Sequence, residues 1–210
     1  MQLIDLTHPS QQEISVDPGA EPPVLSPTAT LDRDGYQAQR LTLNTHTGTH
    51  IDAPAHILPG GKTLDQFPVS HFQGRAQVID CRGLSGEICR HHLETLIDPQ
   101  GAAFILLLTG WDRHWRTAAY LSGFPTLSTQ AAAWLAGLNL KGIGLDAISI
   151  DHPNSNHLPN HRCFLAKDIV ILENLTKLAT IPGPICQLYC LPLLISKTDG
   201  APARVVAVVP

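Results

Sequence analysis

Apolar positions along this 210-residue chain gather into short uninterrupted runs, each bounded by turn-forming residues. Residues 103–108, 142–146 and 169–172 read as strands buried on both faces, because runs of this length between turn signals fit a covered sheet. Segments 188–195 and 204–209 predict two further strands. Alternating polarity adds strands over 38–43 and 76–81, with Pro59-Gly60-Gly61 as a turn between them. Helices are expected over 112–120 and over the Ala-rich stretch 128–136, the latter capped by Ser128. Residues 1–40 are rich in Pro, Ser, Asp and Gly around the short apolar pieces Leu3-Ile4 and Val24-Leu25, which predicts brief strands joined by ordered loops. Buried strands alternating with helices predict an α/β fold, a mixed sheet covered by helices, in one domain over 1–210.

Charge narrows the partners. A formal charge of -4 with no Lys/Arg cluster leaves no electrostatic footprint for nucleic acid or an anionic membrane, which points to a small-molecule substrate. An acidic residue at Asp5, and no apolar window of spanning length, give the expectation of a cytoplasmic protein. The five cysteines are scattered and form no CxxC pair, so they read as buried free thiols rather than disulfides or a thiolate metal site.

Histidine stands out with eleven residues, against three tyrosines and one methionine. The segment Asn44-Thr45-His46-Thr47-Gly48-Thr49-His50-Ile51-Asp52-Ala53-Pro54-Ala55-His56 carries three imidazoles and one carboxylate at the spacing H-x3-H-x-D-x3-H. A fully extended strand would hold the outer pair roughly 33 Å apart. A helix would turn Asp52 away from the histidines and strip Pro54 of a backbone bond. A compact turn remains, permitted by Gly48 and Pro54. Neutral imidazoles beside a hard carboxylate suit Zn²⁺ or Mn²⁺, and one carboxylate can bridge two ions. Two further groups can complete the shell: His161, with His157 as its rival on sequence grounds, and Glu173, which follows the apolar run 169–172. The remaining histidines, His8, His71, His91, His92, His114 and His152, have no comparable context.

The chain resembles the cyclase family of metal-dependent hydrolases, whose hallmark H-x-G-T-H-x-D-x-P-x-H stands complete from His46 to His56. Asp5-Leu6-Thr7, Thr109-Gly110-Trp111-Asp112, Gly144-Leu145-Asp146, Pro159-x-His161 and Glu173-Asn174-Leu175 follow in the family's order. The resemblance implies that His46, His50 and Asp52 hold one metal ion, and that Asp52 and Glu173 bridge to a second held also by His161. It gives His56 the role of catalytic acid/base. A swivelling β/β/α fold and a homodimer or homotetramer are implied as well. One segment departs from the pattern: Val16-Asp17-Pro18-Gly19 stands where the formamidases that look closest carry Trp-Pro-Gly, so the aromatic platform for an aryl ketone is missing.

The chemistry expected from this set is amide hydrolysis, for example of an aryl formamide such as N-formylkynurenine. Divalent ions lower the pKa of a bound water from about 15.7 to about 7, and an imidazole titrating near neutrality can carry the proton to the leaving amine. The alternatives are a cyclase-family hydrolase of another cyclic amide, lactone or polyketide-like substrate, and a metal-binding protein without catalysis.

Overall fold

A computed structural model describes residues 1–84, 86–98 and 101–210. In chain order the elements begin with β1 (Gln2–Asp5), β2 (Val24–Ala29), α1 (Leu31–Asp34), β3 (Ala38–Thr42), β4 (His50–Asp52) and β5 (Gln73–Asp80). They continue with β6 (Glu87–Ile88), α2 (Arg90–Leu93), β7 (Phe104–Leu108), β8 (Thr126–Leu127), α3 (Thr129–Leu135) and β9 (Gly142–Leu145). The last four are α4 (Pro159–Leu165), β10 (Val170–Glu173), β11 (Ile185–Pro192) and β12 (Gly200–Val209).

Strands β12, β11, β5, β7, β9, β10 and β4 form a ring that closes when the start of β12 pairs with β4, while β1 joins the far end of the same β12 edge. The four central strands β5, β7, β9 and β10 run parallel, and β4, β11 and β1 are antiparallel to their neighbours, so the sheet is mixed as expected. Two small sheets, β2–β3 and β6–β8, lie apart from the ring.

Successive strand residues point to opposite faces, and here both faces are apolar. Phe104, Leu106, Leu108, Val170 and Leu172 point into the barrel, where they meet Val205, Ala207 and Leu188. Ile105, Leu107, Ile143, Leu145 and Ile171 point outward and are covered by Ala131, Leu135 and Phe164 from α3 and α4. That two-sided burial is why 103–108 and 169–172 are continuous hydrophobic runs. The barrel interior is narrow at β9: a Cβ on Gly142 would lie 2.7 Å from the Phe104 ring, and one on Gly144 would lie 2.8 Å from Leu106 and Leu175 methyls.

Ser128 caps α3 as expected, its hydroxyl accepting from the Ala131 N–H at 3.2 Å. Residues 112–120, in contrast, form two 3-10 turns, Trp111–His114 and Ala118–Leu121, instead of a helix. Between the turns Arg116 takes a φ of 66°, which a right-handed helix cannot accommodate, and its N–H donates to the Ser15 hydroxyl. The chain leaves β11 after Pro192, so Leu193, Leu194 and Ile195 are exposed rather than in a strand. β12 starts four residues earlier than the apolar pattern indicated, because Gly200, Ala201 and Pro202 pair with β4. Cys81, Cys186 and Cys190 are buried free thiols, whereas Cys89 and Cys163 are only partly covered. Among the described residues, no helix is long and apolar enough to cross a membrane.

Candidate metal centre

The histidine-rich segment is extended only at its centre. His50, Ile51 and Asp52 form β4, the turn containing Gly48 (φ 65°) precedes it, and the 3-10 turn Pro54–His56 follows it. This folds the outer histidines back over the strand. Ile51 points into the barrel, so His50 and Asp52 both point out of it. Across the antiparallel pair, Glu173 of β10 lies directly opposite His50, the closest approach a sheet offers to two side chains. The fourth buried member, His161, arrives from the first turn of α4.

The result is a buried knot of imidazole and carboxylate. His50, Asp52, His161 and Glu173 are all at most 5% exposed. His50 Nε2 lies 3.2 Å from Asp52 Oδ1 and 3.6 Å from Glu173 Oε2. His161 Nε2 lies 3.4 Å from Asp52 Oδ2 and 3.3 Å from Glu173 Oε1. His46, half-buried above them, reaches Asp52 Oδ1 at 2.7 Å through Nδ1. His56 lies over His46, their ring centroids 4.0 Å apart.

Behind the knot, each buried imidazole is held in one orientation. The His50 Nδ1–H donates to the Gly48 carbonyl at 2.8 Å, a carbonyl that also accepts from Asn174 Nδ2 at 2.9 Å. Tyr120 Oη in turn donates to Asn174 Oδ1 at 2.8 Å. The His161 Nδ1–H donates to Asp151 Oδ2 at 2.7 Å, and Asp151 also accepts the N–H groups of Asn160 and His161 that open α4. In both cases Nε2 is left as a lone pair facing the carboxylates, the arrangement in which imidazoles ligate metals.

Packed this closely, the groups shift one another's titration. Burial opposes the charged form of Asp52, yet His50, His161 and His46 hold its carboxyl well below the usual range. For Glu173 burial and the Asp52 charge act together and push the carboxyl up. Burial disfavours a charged His46, but its hydrogen bonds to Asp52 and Asp199 prevail and raise it to about 9. His56 moves the other way: burial lowers it, which keeps its ring neutral. Asp52 Oδ2 is buried and makes no hydrogen bond, with His161 Nε2 standing 3.4 Å away. An anionic oxygen in that position needs a cation, and the surrounding N and O donors fit a divalent ion. Among the described residues, the groups His46–His50–Asp52 and Asp52–His56–His161 each bring ligand atoms within 4.8 Å of one another, as does His46–His56–Asp199.

All six residues singled out from sequence therefore meet here, and the rival His157 is exposed. Sequence reasoning missed Asp199, whose Oδ2 accepts from His46 Nε2 at 2.9 Å and lies 3.5 Å from His56 Nδ1. Its neighbour Gly200 is also required, since a Cβ there would stand 2.6 Å from His46 Cε1. The turn-forming dipeptide Asp199-Gly200 is the local signal that could have found them. Asp151, Asn174 and Tyr120 carried no such mark.

A family model described as "Putative cyclase" matches residues 4–152. The chain belongs to the cyclase family. It is 34% identical to the kynurenine formamidase of Salinibacter ruber over 212 residues, covering 98% of this chain and 97% of that protein. A solved structure described as a potential metal-dependent hydrolase with cyclase activity superposes with a TM-score of 0.84 at 27% identity, covering 100% of this chain and 99% of the other. Isatin hydrolase A from Labrenzia aggregata, solved with benzyl benzoate, gives a TM-score of 0.86 at 25% identity over 98% of this chain and 93% of its own. The family resemblance and the mixed α/β fold expected from sequence are thereby borne out, with the sheet closed into a seven-strand barrel.

Proposed function

We propose that this cyclase-family protein is a metal-dependent hydrolase of a carbon–nitrogen amide bond in a small substrate, with an aryl formamide such as N-formylkynurenine as the first candidate. The observation that carries this reading is Asp52 Oδ2, a buried anionic oxygen that makes no hydrogen bond, facing the Nε2 lone pair of an imidazole oriented from behind. His46, His50 and Asp52 would hold one divalent ion, and Asp52, His161 and Glu173 a second, with zinc or manganese matching the donor set. When bound, such ions polarise the substrate carbonyl and acidify the attacking water.

The protein's own groups supply the rest. Burial keeps the His56 ring neutral, so it can accept a proton from the attacking water and return it to the departing amine nitrogen. Products are then a carboxylic acid and an amine. Gly48, Asn174 and Tyr120 fix His50, and Asp151 fixes His161, so that the ligand geometry is set before substrate arrives. A cyclic amide is the second reading, favoured by the likeness to isatin hydrolase A. Protein loaded with zinc or manganese is expected to release formate from N-formylkynurenine or formanilide. No turnover of these or of isatin, with the ions bound, would remove the reading. The exposed apolar side chains Val69, Leu191, Leu193 and Leu194 support a second copy of the chain as partner, which light scattering in solution would test.

A further inference from the structure

Beside the metal centre lies a cavity of about 150 Å³ whose lining is mostly apolar, with Phe124, Ile148, Pro153 and Leu158 among its walls. The same loops build the centre's backing. Ser149 at its edge precedes Ile150, whose N–H donates to Glu173 Oε1 at 3.2 Å, and Leu158 directly precedes α4, which carries His161. Asp17 also lines it, on the N-terminal loop where Ile14 packs near Gly48 and Ser15 is tied to Arg116.

The carboxylates of the centre are each paired: Asp52 with three imidazoles, Glu173 with His50 and His161, Asp151 with His161, Asp199 with His46. The Asp17 side chain makes no hydrogen bond or ion pair among the described residues; only its backbone carbonyl is engaged, accepting from the Ala20 N–H at 2.9 Å. Its negative charge therefore faces the cleft with no hydrogen-bonded or ion-paired side chain, although His152 lines the same cavity and the imidazoles of His50, His46 and His161 act on it through space. A substrate seated in this cavity displaces water from that carboxylate, and unless the substrate brings a donor of its own, the lost hydration is not replaced. A cationic donor restores it with a charge-assisted hydrogen bond, whereas an anionic group there is repelled.

We infer that Asp17 makes this cavity a subsite for a protonated amine, so that the preferred substrates are amides bearing a cationic group beside the scissile bond. The inference rests on the amide-hydrolase reading for its catalytic consequence, although the subsite itself can be read by binding alone. In support, the surrounding protein desolvates Asp17 enough to push its carboxyl above the usual value, with Asp52 acting in the same direction and His50, His46 and His161 against it.

The test uses the metal-loaded protein and its Asp17→Asn variant, titrated calorimetrically with benzylammonium and with benzyl alcohol, a neutral probe of nearly the same shape. Wild type is expected to bind benzylammonium about tenfold tighter than benzyl alcohol, and Asp17→Asn to bring that ratio close to one. Equal binding of the two probes by wild type, or a preference that survives in the variant, would overturn the subsite. So would a loss of metal from Asp17→Asn by elemental analysis, since Asp17 would then belong to the metal centre. Turnover of 4-(aminomethyl)formanilide and 4-methylformanilide supplies the second arm: the ratio of their kcat/KM values is expected to favour the amine in wild type and to collapse in the variant. If neither formanilide is cleaved while the probes still discriminate, the amide-hydrolase reading falls and the cation subsite stands.

Discussion

At the scale of single residues, Asp52 and His56 are expected to part company when mutated. Asp52 touches all three of His46, His50 and His161, so Asp52→Ala should lose both metal and turnover, as elemental analysis and formate release would register together. His56→Ala should keep its ions and lose about 10²–10⁴-fold in kcat, the usual value of general acid–base catalysis. Loss of an ion from that variant would instead make His56 a ligand, an arrangement its proximity to Asp52 and His161 permits. A third residue, His8, is expected to contribute to acid sensitivity. It is buried against Trp115 at 4.0 Å with Nε2 unpartnered among the described residues, and burial lowers its pKa to about 4 despite the opposing charge of Asp112. A histidine depressed in the folded state binds its proton mainly when unfolded, so its contribution is complete above the unfolded value of 6.5 and is lost as pH falls toward about 4. His8→Phe should therefore reduce the loss of stability between about pH 7 and pH 5 by about 2 kcal/mol relative to wild type, measured by urea unfolding at each pH. The ligand types were legible in the sequence because a dense histidine motif has few other uses. Their supports were not: Asp151, Asn174 and Tyr120 act through contacts separated by ten to over a hundred positions, and nothing local announces them.

At the scale of elements, strand identity was readable wherever a strand is buried on both faces, as in β7 and β10, because burial writes a continuous apolar run. It failed where small residues do the work. Gly200, Ala201 and Pro202 have little strand propensity, yet they close the barrel against β4, because only short side chains fit beside His46 and within the barrel. The segment 112–120 misled for a related reason: its composition suits a helix, but the left-handed Arg116 is fixed by Ser15, a partner far off in sequence. Close approach in β9 leads to a further expectation. Gly144→Ala would place a methyl 2.8 Å from Leu106 and Leu175 and 3.3 Å from Leu172, overpacking the barrel and lowering stability by about 1–3 kcal/mol. Urea unfolding would show the loss. Metal content should be unchanged, since Gly144 faces the barrel interior and the ligands face outward.

For the whole molecule, metal binding and folding should be linked, because the ligand set exists only when β4, β10 and α4 are assembled. Ions present at about 100-fold over Kd would add about 2.7 kcal/mol. In a protein of this size that corresponds to a Tm roughly 5–10 °C above the chelated form, which scanning calorimetry would record. Insensitivity of Tm to chelation would mean that no ion is held at the centre. The ring closure has another consequence. β12 pairs on one edge with β11 and on the other with both β4 and β1, so that Gln2 lies beside Val209 and Asp52 beside Gly200. The barrel is thus sealed by contacts among the most distant in the chain, and a nascent polypeptide emerging from the ribosome cannot close it until residues 200–209 have been made. High contact order of this kind slows the search for the native pairing. During that interval the free edges of β4 and β11 stay open to any other strand, so a chaperone that shields them should raise the yield of refolding more than added metal does.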